Sequence, residues 1–133
     1  MPIVTLSHAL RAVATASFAC HQCCPNVSVS VKFCYTSSVL FFELQPGTNV
    51  SIDHKLVLEN VDGSLQRWLL RGVVYLGANH FTARYISSSG MVWYHDGAAT
   101  GSICTPQGSA TSLDLHSAFG RSACHLLYFK ELM

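Results

Sequence analysis

The stretch that decides the fold is Trp68-Leu69-Leu70-Arg71-Gly72-Val73-Val74-Tyr75-Leu76-Gly77-Ala78-Asn79-His80-Phe81-Thr82-Ala83-Arg84-Tyr85, followed after a serine-rich turn by Met91-Val92-Trp93-Tyr94-His95-Asp96-Gly97. Residues 68–76 are rich in Val, Leu and Tyr, the composition of a strand, and Gly77-Ala78-Asn79 breaks it. A second strand resumes over 80–86. Ser87-Ser88-Ser89-Gly90 turns the chain, and a third strand returns over 91–94. His80 begins one arm of this hairpin and Asp96 ends the other. With a three-residue turn the two fall opposite, or two residues apart, on one sheet face. With a four-residue turn they fall on opposite faces unless a bulge intervenes. The spacing therefore permits, without requiring, an imidazole oriented by a carboxylate, the supporting half of a nucleophile–base–acid triad.

Outward from the hairpin, the pattern stays β-rich. Val27 to Lys32 alternates Val with Ser and Lys, as a half-buried strand does. Val39-Leu40-Phe41-Phe42 is a continuous apolar run and reads as a strand covered on both faces. Residues 49–58 alternate again, and Asp62-Gly63 is a turn signal. Residues 98–117, rich in Gly, Ser and Thr, read as a loop with a short turn over 113–119. A closing strand follows over 123–130. Leu6, Ala9, Leu10 and Val13 recur at helical offsets and predict one short amino-terminal helix. The expected class is α+β with a mostly antiparallel sheet.

Composition bounds the rest. The 133 residues suffice for one core, and half of them are hydrophobic, so intrinsic disorder is excluded. Only 11% are charged, against about 25% in an ordinary soluble domain. Such a chain is expected to expose a face that packs against further residues. The net charge is +1, with no basic cluster, so an electrostatic nucleic-acid binder is not expected. No apolar run is long enough for a membrane helix. The first twenty residues lack the leading positive charge of a secretory signal, and His8 and Arg11 interrupt their apolar part. Of six cysteines, Cys20, Cys23, Cys24 and Cys34 crowd into fifteen residues, which suits a metal better than a disulfide framework. The expected setting is intracellular. Cys34, Cys104 and Cys124 read as small buried hydrophobes.

The hairpin residues quoted above resemble the histidine box of the ubiquitin-specific proteases. That family shows a Tyr-x-Leu-x-x-Val-Val strand, a glycine-containing turn, Gly-His-Tyr-x-Ala, and then Trp-Tyr with an Asp or Asn a few residues on. Cys124-His125-Leu126-Leu127-Tyr128-Phe129-Lys130 is similar to the family's last strand, and Val39-Leu40-Phe41-Phe42-Glu43-Leu44 to an earlier one. Leu6 to Val13 resembles the helix before the zinc-finger cysteines, and Cys20-His21-Gln22-Cys23 stands where one Cys-x-x-Cys pair stands.

The resemblance implies that residues 1–133 form a single partial domain. It would correspond to the carboxy-terminal half of a ubiquitin-specific protease catalytic domain, the palm-like part of a papain-like cysteine peptidase. It implies thiol-dependent hydrolysis of the bond after the terminal Gly of ubiquitin, with ubiquitin or ubiquitinated proteins as partners. His80 would be the general base and Asp96 its orienting carboxylate. Asn79, Phe81 and Trp93 would meet the substrate. No cofactor is implied for catalysis, whereas Cys20 and Cys23 would be half of a structural zinc site in the parent protein.

Three positions depart from the pattern. Asn79 stands for the usual Gly, Phe81 for Tyr, and Asp96 follows Trp93 by three residues instead of four. The family's nucleophile lies upstream in an Asn-x-Gly-Asn-Thr-Cys box. Cys34-Tyr35-Thr36-Ser37-Ser38 lacks the preceding Asn and Gly, so the chain is read as lacking the attacking thiol. The alternative is a catalytically inactive ubiquitin-binding module of the same fold.

Overall fold

The computed structural model describes residues 37–45 and 50–132, together with the backbone of three short strands before them. Those three are β1 (Val4–Thr5), β2 (Thr15–Phe18) and β3 (Val27–Ser30). Then follow β4 (Val39–Glu43), β5 (Val50–Ser51), β6 (Lys55–Glu59), β7 (Leu65–Gly77), β8 (His80–Ile86) and β9 (Met91–His95). A one-turn helix, α1 (Gly97–Thr100), leads to β10 (Cys104–Ser109), a 3-10 turn (Ala110–Ser112), β11 (Ser117–Ala118) and β12 (Arg121–Lys130). Among the described residues strands dominate and pair antiparallel, apart from the short parallel contact of β1 with β5. No helix among the described residues is long and apolar enough to cross a membrane.

The main sheet runs β10-β9-β8-β7-β12. Two long strands form its spine, and each serves two neighbours along one edge. β7 pairs with β6 through Leu65 to Leu69 and with β8 through Gly72 to Gly77. β12 pairs with β11 at Arg121 and Ser122 and with β4 from His125 to Phe129. Alternation along the strands sorts the side chains. Leu56, Trp68, Val73, Tyr75, Val92, Leu126 and Tyr128 are completely buried on one face. The other face is open and carries Phe41, Phe81 and Tyr85, each about 60% exposed.

Several expectations shift here. Val39-Leu40-Phe41-Phe42 is a strand but is not covered on both sides: Leu40 and Phe42 pack on the core, whereas Val39 and Phe41 face outward. β4 lies along the outer edge of β12, so only one of its faces meets the core. The segment 98–117 is not a plain loop, because α1, β10 and the 3-10 turn occupy most of it. The strand expected over 49–58 divides at 52–54 into β5 and β6. The amino-terminal helix expected over 6–13 lies outside the described residues.

One buried cation closes the core. The segment 110–118 folds back over the covered face and buries Ala110, Leu115 and Ala118. Its carbonyls point inward, where Arg84, only 7% exposed, receives them. Nη1 donates to the carbonyls of Asp114 (2.7 Å) and Ser117 (3.1 Å) and to the Tyr75 hydroxyl (3.2 Å), while Nε donates to Gln107 Oε1 (2.8 Å). Tyr75 in turn donates to the Leu115 carbonyl at 2.7 Å. The guanidinium also lies 5.4 Å from the Tyr75 ring centroid. Burial pushes the Tyr75 phenol above its ordinary pKa.

Arg84→Met keeps most of the volume and removes every donor. It is expected to lower the unfolding free energy by about 3 kcal/mol, since several buried acceptors lose a charged partner at once. Urea denaturation measures this. A loss under about 1 kcal/mol would mean that water replaces the guanidinium at those carbonyls.

Candidate functional site

Two turns place the imidazole and the carboxylate. Gly77 pairs with His80, so β7 and β8 are joined by a two-residue turn, Ala78-Asn79, at φ of 52° and 57°. Turns of this mirror-image kind match the twist of a hairpin, and Asn is favoured in them because it tolerates positive φ. β8 and β9 are joined by Ser88, Ser89 and Gly90. Ser87 N donates to the Met91 carbonyl at 2.9 Å, and Gly90 takes φ of 84°.

The three-residue loop sets the parity. Ala83 pairs with His95, which puts Thr82 across from Asp96 and His80 two residues further along the same face. That face is the covered one, shared with Thr82, Arg84, Ile86 and Val92.

There the side chains meet. His80 Nε2 lies 2.7 Å from Asp96 Oδ1, with the imidazole side chain 30% exposed and the carboxylate 16%. Asp96 is held independently of the histidine. It is the N-cap of α1, and its Oδ1 accepts from Ala99 N at 3.3 Å. The far end of α1 is braced by His95 Nε2, 2.8 Å from the Gly101 carbonyl. The hydrogen bond from His80, followed by the Ala99 amide, holds the Asp96 carboxyl below its ordinary pKa against the effect of burial.

With Nε2–H committed to a carboxylate, a neutral His80 carries its lone pair on Nδ1. Nδ1 makes no hydrogen bond among the described residues. The arrangement supplies a base of fixed tautomer at the rim of the covered face.

The other site candidates separate from this pair. Asn79 is exposed at the second position of the tight turn. Phe81 and Trp93 project from the opposite, open face, where Trp93 pairs across the strands with Tyr85. They cannot pack beneath the imidazole, because each is separated from His80 or Asp96 by an odd number of strand positions. Cys20, Cys23 and Cys34 lie outside the described residues. Among the described residues no three His, Cys, Asp or Glu side chains converge as metal ligands would.

Cys104 is exposed instead of buried and belongs to the open face, paired with His95. Cys124, half-buried, sits 3.3 Å from His125 Nδ1, and burial pushes its thiol above the ordinary pKa.

Sequence reasoning missed two features of this neighbourhood. The first is the cap: Asp96 followed by Gly-Ala-Ala-Thr is a usable N-cap signal. The second is a groove beside it, walled by Tyr94, Phe119 and Arg121. Phe119, expected at the end of a turn over 113–119, instead forms with Gly120 a second two-residue turn, between the paired residues Ala118 and Arg121.

A depressed carboxyl contributes stability that is complete above its unfolded pKa and is lost as pH falls through its lower folded value. Asp96→Asn keeps both the cap and an acceptor for His80 while removing the charge. The variant should melt below the parent near pH 6, and the gap should close as the pH falls through the parent's lowered carboxyl pKa, where its charge is lost as well. A gap of constant size across that range, followed by circular dichroism, would show that the charge of Asp96 is not what matters.

In comparisons with known proteins, no protein-family model matches the chain, and neither does any curated protein.

Proposed function

We propose that this chain belongs to a thiol-dependent deubiquitinase-like domain of papain-like fold, working inside the cell, and that it contributes the general base and its orienting carboxylate. The observation that carries the reading is the 2.7 Å contact between His80 Nε2 and Asp96 Oδ1, made on one sheet face by residues sixteen positions apart. It leaves Nδ1 as the basic atom.

In the proposed reaction Nδ1 takes the proton of a cysteine thiol, and the thiolate attacks the carbonyl carbon of the terminal Gly of ubiquitin. The imidazolium, steadied by Asp96, returns that proton to the departing amine. Water, deprotonated by the same nitrogen, then cleaves the thioester and regenerates the thiol.

The thiol itself comes from outside the described residues. Cys104 faces away from His80, and the raised pKa of Cys124 disfavours the thiolate. The same observation favours a second reading, a module that binds ubiquitin without cleaving it.

Titration with labelled ubiquitin and incubation with ubiquitin carrying a carboxy-terminal electrophile test both readings. The chain alone is expected to bind ubiquitin and to leave the electrophile unreacted. Labelling that His80→Gln abolishes would place a working thiol within this chain. If the chain neither binds ubiquitin at concentrations up to about 1 mM, a free energy near −4 kcal/mol, nor is labelled, both readings are overturned.

A further inference from the structure

Beside the His80–Asp96 pair runs an open groove of about 400 Å³, and two features of its walls are unexplained by the fold. Phe119 is the first. It occupies the leading position of the Phe119-Gly120 turn at φ of 49°, with Gly120 at 77°. Asn or Gly fits this position without strain, whereas a bulky residue there is an outlier. The ring is not tucked away in compensation. It is 69% exposed, leaning on Tyr94 with centroids 4.8 Å apart. A strained backbone that holds an exposed aromatic ring over a groove points to a ligand.

Arg121 is the second. Its stem is packed so closely over Gly77 that a Cβ there would come within 2.8 Å of Cγ, and Nε is buried without a partner. The guanidinium makes no ion pair or hydrogen bond among the described residues, although its stem fixes where it sits. The other charged group in the groove, Asp96, is held by His80 and the Ala99 amide and makes no ion pair with Arg121. The groove therefore presents an unpaired guanidinium, a carboxylate occupied by its own donors, an aromatic wall, and the Thr100 and Thr105 hydroxyls.

We propose that this groove is a peptide subsite. It takes an acidic residue on Arg121 and, from the same extended segment, an apolar side chain on Phe119 and Tyr94. A single guanidinium matches a singly charged carboxylate, which it can grip through two parallel hydrogen bonds. A phosphate, with nearly twice the charge, would need a second cation that the groove does not hold. An open groove suits a chain passing through it, and alternate residues of an extended chain share a side, so the two anchors lie two positions apart. The subsite does not depend on ubiquitin being the substrate, and it is measured without ubiquitin.

Fluorescence anisotropy with short labelled peptides, acetylated and amidated at their ends, is the test. In a Glu-Gly-Phe series, changing Glu to Gln or Lys, or Phe to Ala, should weaken binding at least about tenfold. Arg121→Gln should abolish the preference for Glu over Gln, and Arg121→Lys should retain part of it. Phe119→Gly relaxes the turn and removes the ring, so it should preserve or raise the melting temperature while erasing the preference for Phe over Ala. The peptide series on the parent protein needs no variant to fold. Equal affinity for the Glu, Gln and Lys peptides, no binding of any peptide, or tighter binding of a phosphoserine peptide than of the Glu peptide would each overturn the assignment.

Discussion

Everything on the covered face depends on a cation held without a carboxylate. Among the described residues Arg84 has no acidic partner within ion-pair distance, yet it is almost completely buried. What makes this tolerable is geometry: two backbone carbonyls, a side-chain amide oxygen and a phenol converge on its fork of donors. A lysine could not answer acceptors in so many directions. The backbone of 110–118 would otherwise be an awkward lid, because a loop laid over a core brings carbonyls that must find donors. Arg84 and Tyr75 meet that need from adjacent central strands. Leu115 and Ala118 can then be buried, and the turn after Ala118 can deliver Phe119 and Arg121 to the groove.

How much of this could be read beforehand follows from where the physics is local. The β7–β8–β9 meander was legible because each strand is a run of β-formers bounded by turn residues that require positive φ or a break. The proximity of His80 and Asp96 was legible only as a condition on loop length. The hydrogen bonds between Ser87 and the Met91 and Gly90 backbones meet it with three residues. Phe81 and Trp93 were placed with the pair because a family pattern carries residue identity but not strand parity; alternation sends them to the other face.

β10 was not legible. Its residues, Cys104-Thr105-Pro106-Gln107-Gly108-Ser109, contain a proline and a glycine that argue against a strand by propensity. It pairs because it is an edge strand, where Pro costs little, and because a register shift between Pro106 and Gly108 absorbs the misfit. Nothing local marked Arg84 as buried either, since the carbonyls that receive it lie thirty positions downstream. The exposure of Val39 and Phe41 is equally non-local: an apolar run does not say whether its strand will be central or at an edge.

The double duty of Asp96 carries a thermodynamic consequence. One oxygen accepts both from the imidazole of His80 and from the first turn of α1, so the ordering of that turn and the orientation of the ring are linked equilibria. Whatever stabilises the helical state of 97–100 must, by reciprocity, favour the oriented imidazole, and by the same free energy. Fraying of α1 frees the carboxylate to rotate and releases the ring with it. A contact at Thr100, on the groove side of that turn, therefore reaches the basic nitrogen of His80 through a single carboxylate, with no movement of the sheet.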